Sequence, residues 1–127
     1  MAVQVLVVDD ITMMRDALKD IVVHNGMKIA GLAKNGREAV MLYLQRRPDV
    51  VLMDITMPGM DGIDALRHII SRDPGARVIM CSSLSGQHHI LRAIQLGAKD
   101  FIVKPADGKR VVSAIEKVME SGNVDSG

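Results

Sequence analysis

Three short apolar runs each end in charged groups, and this pattern constrains the fold of the 127-residue chain more than any other. Val5-Leu6-Val7-Val8 precedes Asp9-Asp10, Val50-Val51-Leu52-Met53 precedes Asp54, and Phe101-Ile102-Val103 precedes Lys104-Pro105. Uninterrupted apolar runs of this length are what strands look like when a parallel sheet buries both their faces. The strands of such a sheet share one carboxyl edge, and ligands bind in the crevice outside it. Three carboxylates and one ammonium are thereby expected to meet in one cleft.

Between these runs the apolar spacing changes from continuous to helical. Strands are expected over 4–8, 28–33, 50–53, 77–81 and 100–103, and helices over 12–24, 36–46, 63–71, 87–96 and 108–120. The expected core faces of the helices are Met14, Ala17, Leu18 and Ile21; Ala39, Val40, Tyr43 and Leu44; Ile63, Leu66, Ile69 and Ile70; Ile90, Leu91, Ala93 and Ile94; and Val111, Val112, Ile115, Val118 and Met119. Asn25-Gly26 and Gly97 read as helix stops, and Pro58-Gly59-Met60-Asp61-Gly62 and Asp73-Pro74-Gly75 as turns. Residues 1–120 form one domain, and the small polar residues 121–127 read as a flexible tail. Five strand–helix units predict an α/β fold, a doubly wound parallel sheet in the flavodoxin-like order 2-1-3-4-5. That order puts the first strand in the centre and the cleft between strands 1 and 3, where Asp9, Asp10 and Asp54 lie.

Composition removes several function classes. A net charge of +1 gives no case for nucleic acid or an acidic membrane surface. No apolar run is long enough to span a bilayer, and the N-terminus enters a strand without a signal-peptide pattern. The single cysteine, Cys81, excludes an internal disulfide and suits a reducing compartment, so a cytoplasmic location is expected. Within a strand, Cys81 reads as a buried, inert thiol. His88 and His89 are adjacent, so a helix turns them about 100° apart, and they make poor joint metal ligands. Ten methionines against one phenylalanine, one tyrosine and no tryptophan are adaptable core filler or, where exposed, partner contacts. Met13, Met57 and Met60 are the candidates for the second role.

The cleft carries the chemistry. Asp9-Asp10 alone could be a loop start or a helix cap leading to Thr12. With Asp54 beside them, three like charges raise one another's pKa and need compensation. Mg²⁺ supplies it, since it takes oxygen ligands and is bound by one or two carboxylates plus phosphate oxygens. Asp54 is then positioned to attack phosphorus and form an aspartyl phosphate. Phosphoryl transfer is catalysed mainly by positioning and electrostatics. Lys104 as a compact cation, the Ser82 hydroxyl and backbone N–H groups after Asp54 can cover the phosphoryl oxygens.

Four motifs in order resemble the response-regulator receiver family of two-component systems, in its stand-alone chemotaxis form. They are Val7-Val8-Asp9-Asp10, the segment Met53-Asp54 through Gly62, Cys81-Ser82-Ser83, and the segment Gly97-Ala98 through Lys104-Pro105. The resemblance implies that Asp54 accepts phosphate from a histidine kinase and that Asp9, Asp10, Asp54 and the Thr56 backbone carbonyl hold Mg²⁺. It implies that Ser82 is a switch hydroxyl, Phe101 a switch aromatic, and Lys104 a phosphate contact before a cis proline bond. It also implies an output face on helix 4, strand 5 and helix 5 that binds a target such as the flagellar motor switch, and a phosphatase as a further partner.

Some positions depart from the familiar pattern. Phe101 has no hydroxyl, and Thr56 and Leu84 are unsuited to positioning a hydrolytic water, so a long-lived phosphoryl group is expected. The chain would not be an enzyme toward outside substrates, only a catalyst of its own phosphorylation and slow dephosphorylation. A haloacid-dehalogenase-like phosphatase is the rival, but its second acid would stand where Thr56 stands. A receiver cut from a longer regulator, with DNA-binding or methylesterase output, is the other alternative.

Overall fold

The computed structural model describes residues 2–83 and 87–124, with backbone alone for 87, 88 and 121–124. Leu84, the side chain of His88 and residues 125–127 therefore lie outside the described residues. Five strands, β1 (Gln4–Val8), β2 (Lys28–Ala33), β3 (Val50–Asp54), β4 (Val78–Ser82) and β5 (Asp100–Val103), alternate with five helices. The helices are α1 (Thr12–His24), α2 (Gly36–Arg46), α3 (Gly62–Arg72), α4 (Gln87–Leu96) and α5 (Gly108–Val124). All strand pairs are parallel and the order is β2-β1-β3-β4-β5, as the sequence predicts.

The apolar runs divide their side chains between two cores. Leu6, Val8, Val51, Met53 and Met80 pack with Ala39, Leu66, Ile69, Ile90 and Ala93 of α2, α3 and α4. Val5, Val7, Leu52, Ile79 and Ile102 pack with Val22, Val111, Ala114, Ile115 and Val118 of α1 and α5. Successive strand residues point to opposite faces, so a strand covered on both sides has no polar position. The first polar residue can appear only where cover ends, at the carboxyl edge.

The segment after β3 is held against the strand it leaves. Gly62 donates its N–H to the Ile55 carbonyl at 2.7 Å, and a Cβ on Gly62 would collide with the Asp54 carbonyl oxygen. Gly59, inside the loop, has φ +75°, a conformation glycine adopts without steric cost. Asp61 caps α3, its Oδ1 accepting from Asp64 N–H at 2.9 Å. On the other side of the loop, Gly36 donates to the Met60 carbonyl at 3.2 Å. Asn35 and Glu38 fix that end of α2 reciprocally, Asn35 Oδ1 accepting from Glu38 N–H at 2.8 Å and Glu38 Oε1 from Lys34 N–H at 2.9 Å.

Several expected details differ. α5 runs to Val124 rather than stopping near 120, because 121–124 hold no proline and a single glycine costs a helix only about 1 kcal/mol. β4 starts and ends one residue later than expected and includes Ser82. Ala17 is exposed, and on α4 Leu91 and Ile94 are 61% and 40% exposed while Ile90 and Ala93 are buried. The spacing from Ile90 to Ala93 follows one helix face, and Leu91 and Ile94 each lie about 100° farther round. Met13 is 78% exposed, but Met57 is buried in the larger core and Met60 packs against it, so of these three candidates Met13 alone stays available to a partner. Met60 is drawn in where Gly36 of α2 donates to its carbonyl, and Met57 is enclosed by the larger core.

Gly62→Ala is expected to destabilise the protein by about 2 kcal/mol, within the range for overpacking a filled site. Urea unfolding checks this, with Gly75→Ala as a control, since a Cβ at Gly75 meets no atom closer than 3.6 Å.

Candidate functional site

Each strand end delivers one component. Asp9 and Asp10 follow β1, Asp54 is the last residue of β3, Ser82 the last of β4, and Lys104 follows β5. β1 and β3 are hydrogen-bonded neighbours, so their acids converge directly. Carboxylate oxygens of Asp9, Asp10 and Asp54 lie within 4.8 Å of one another. Lys104 crosses from β5, its Nζ 2.9 Å from Asp9 Oδ2 and 3.1 Å from Asp54 Oδ1. Asp9 is fully buried and Asp54 is 7% exposed, while Asp10 reaches solvent.

The charges do not balance internally. Three carboxylates face one ammonium, and burial makes the surplus costly. Burial pushes the Asp54 carboxyl up to about 6, and the Asp9 charge and a hydrogen bond with Asp10 add to the rise against the opposing pull of Lys104. Burial alone would lower the Lys104 pKa, but its hydrogen bond to Asp9 and the charge of Asp54 outweigh that and raise it. Lys104 is therefore a fixed cation across the ordinary pH range.

Such a cleft fits a hard divalent cation. Its donors are oxygens alone, its uncompensated charge is two negative units, and Asp10 opens it to solvent. Asp9 is the least free of the three, since its Oδ1 accepts from Ile11 N–H at 3.0 Å and its Oδ2 from Lys104. Thr56 stands two residues past Asp54, in the loop, with its side chain exposed.

Ser82 is 5% exposed, and its hydroxyl donates to the Ser83 carbonyl at 3.1 Å, not to an acid of the cleft. Its own carbonyl accepts from the Lys104 N–H at 2.7 Å, which ties the serine to the lysine's backbone. Phe101 is half-buried, opposite Met80 in register, and packs on the larger core outside the charge cluster. The Lys104–Pro105 peptide is cis, as the resemblance implies. Cys81 is buried, and burial pushes its thiol up to about 12, which leaves it unreactive.

Two arginines escaped the sequence reading. Arg110 Nη2 donates to the Phe101 carbonyl at 2.9 Å. Arg15 Nη1 donates to the Asp9 carbonyl at 2.8 Å. A signal for Arg15 existed: the first turn of α1 has no acid, and a cation close behind it opposes the helix dipole.

Residues 5–116 match the response regulator receiver domain family. The chain belongs to that family. This receiver is 52% identical to the chemotaxis protein CheY of Thermotoga maritima over 93% of its length and 98% of the relative's. It is 51% identical to the chemotaxis protein CheY of Bacillus subtilis, covering 94% of this chain and 99% of that one. Among solved structures it resembles a Borrelia burgdorferi CheX–CheY complex containing BeF₃ and Mg²⁺, with a TM-score of 0.88 and 39% identity, covering 92% of this chain and 89% of that one. The receiver is thus a CheY-like domain of two-component phosphorylation signalling. Among the described residues, no helix is long and apolar enough to cross a membrane.

The raised Asp54 pKa has a consequence for metal-free protein. Between pH 3.8 and about 6 the folded state keeps a proton that the unfolded chain releases, so raising the pH favours unfolding. Asp54→Asn is expected to be about 1–3 kcal/mol more stable than wild type at pH 7 in EDTA. The difference shrinks toward pH 4, close to the ordinary value of 3.8 below which Asp54 is protonated in both states. Denaturant unfolding at the two pH values checks it.

Proposed function

We propose that this receiver is a phosphorylation switch in which Asp54 accepts a phosphoryl group from the phosphohistidine of a kinase. The observation that carries the reading is the Lys104 ammonium held 3.1 Å from Asp54 and 2.9 Å from Asp9, with Asp10 alongside. An Asp54 oxygen attacks phosphorus, the P–O bond forms as the P–N bond breaks, and the departing histidine nitrogen keeps the electron pair and takes up a proton. Lys104 holds one side of the charge that spreads over the equatorial oxygens. Asp10, Asp54 and the Thr56 carbonyl would hold Mg²⁺, with Asp9 behind them, and the ion would offset charge on the phosphoryl oxygens.

The new group adds about −1.5 to −2 charge and further acceptor oxygens. The Ser82 hydroxyl can exchange the Ser83 carbonyl for a phosphoryl oxygen. Space vacated there is available to Phe101, whose repacking alters the surface between α4 and β5. Leu91 and Ile94 are exposed on α4, which supports an apolar target site on that side. The target belongs to a chemotaxis pathway, as the names of the relatives suggest, and a flagellar motor-switch protein is the candidate that the family resemblance implies. A partner that binds the phosphorylated form more tightly also favours phosphorylation, by linkage.

The chain does not turn over outside substrates. Thr56 offers a hydroxyl, not a carboxylate, where a phosphatase of similar chemistry keeps its second acid, so water attack on the phosphoaspartate is slow.

Asp54→Ala is expected to abolish acid-labile labelling from acetyl phosphate, and Lys104→Met to slow labelling by about 10²-fold, the usual effect of removing one preorganised donor. Labelling that persists in Asp54→Ala would remove the assignment. With a small phosphomonoester, wild type is expected to show no multiple turnovers. Steady hydrolysis would favour the phosphatase reading.

A further inference from the structure

The Asp9 carbonyl sits where the sheet runs out. Asp9 N–H donates to the Ala33 carbonyl of β2 at 3.1 Å, so this residue still faces β2 as a strand residue would. In extended backbone the C=O of a residue points to the same side as its N–H. β2 ends at Ala33 and the chain turns into α2, so no further strand residue is there to donate to Asp9. Among the described residues, the donor that reaches this carbonyl is the Arg15 guanidinium, at 2.8 Å. A second arm of the same guanidinium donates to Thr12 Oγ1 at 3.3 Å. The half-buried Arg15 thus replaces the missing rung of the ladder.

The peptide that Arg15 holds is the one joining Asp9 to Asp10. Its plane sets the direction in which the chain leaves β1, and therefore where the Asp10 carboxylate stands relative to Asp54. The other contacts fix Asp9 itself: Ile11 N–H and Lys104 occupy its carboxylate, and Ala33 its amide. None of them fixes the carbonyl. α1 offers no side-chain cap of its own at Ile11, so the turn between β1 and α1 depends on the Asp9 carboxylate and on Arg15.

We propose that Arg15 is a positioning residue for the cation site, holding the Asp9–Asp10 peptide so that the Asp10 carboxylate converges with Asp54. The inference rests on the reading of the cleft as a Mg²⁺ site. It predicts the opposite of simple electrostatics. As a nearby cation, Arg15 repels Mg²⁺, and its removal would tighten binding. As the holder of a ligand's backbone, its removal weakens binding, as loss of outer partners of metal ligands commonly does by 10–100-fold.

The experiment is calorimetric titration of the full chain with Mg²⁺ alone at pH 7. Arg15→Met is expected to raise the dissociation constant about tenfold. Arg15→Lys, which keeps the charge but not the two-armed grip, is expected to fall between Met and wild type. Tyr43→Phe is the control for general loosening: it removes the 2.6 Å hydrogen bond from Tyr43 Oη to Asp73 Oδ2, which joins the C-terminal end of α2 to the residue capping α3. That variant is expected to lose stability while binding Mg²⁺ as wild type does. Unchanged or tighter binding in Arg15→Met overturns the proposal, as does equal weakening in Tyr43→Phe. Wild-type protein that takes up no Mg²⁺ overturns the metal reading and this proposal together, and so separates the two failures.

Discussion

The Lys104 ammonium, shared by Asp9 and Asp54, is the contact on which the rest of the site depends. The partners are 95 and 50 residues from the lysine in sequence, so the contact exists only when β1, β3 and β5 are in their final order. Without the ammonium, three carboxylates within 4.8 Å of one another would lose the cation that pairs directly with Asp9 and Asp54. With it, two negative charges remain, which is the demand a divalent cation meets. Folding and ligand binding therefore draw on one electrostatic arrangement. The cleft is held together well enough to exist and left unbalanced enough to bind.

The surrounding fold keeps that arrangement in place through backbone contacts more than through further charges. The two cores clamp β1 and β3 from both faces, which leaves the acids little freedom to separate. Gly62 brings α3 back against the Asp54 backbone, and Gly36 seats α2 against the same loop. Arg15 closes the open end of β1. Ser82 is joined to Lys104 by a backbone hydrogen bond, so a change at the serine reaches the lysine by the shortest path. Its hydroxyl, resting on the Ser83 carbonyl, has a weak neutral partner that a phosphoryl oxygen can displace.

Much of this was legible in the chain. A strand buried on both faces must be apolar throughout, so the first charged residue marks its end, and the order of such ends marks the site. That is why Asp9, Asp10, Asp54 and Lys104 could be placed together from sequence. What escaped was side chain meeting backbone. No spacing rule says that Arg15 turns back to the Asp9 carbonyl, or that Arg110 reaches the Phe101 carbonyl, because those bonds satisfy groups whose need appears only once the sheet ends. The methionines failed for a related reason: Met57 looks exposed in a turn until that turn is seen closing on the larger core. On α4, Leu91 and Ile94 are apolar yet exposed, since the buried stripe of that helix is narrow and hydropathy does not say which side it takes.

The most direct measurement is a double-mutant cycle between Lys104 and Asp54, read as unfolding free energy in EDTA at pH 7 with Lys104→Met, Asp54→Asn and the double variant. A shared, partly buried ion contact predicts a coupling of about 1 kcal/mol or more. Additive effects, with coupling indistinguishable from zero, would mean that the ammonium and the acid do not sense one another and would contradict the account.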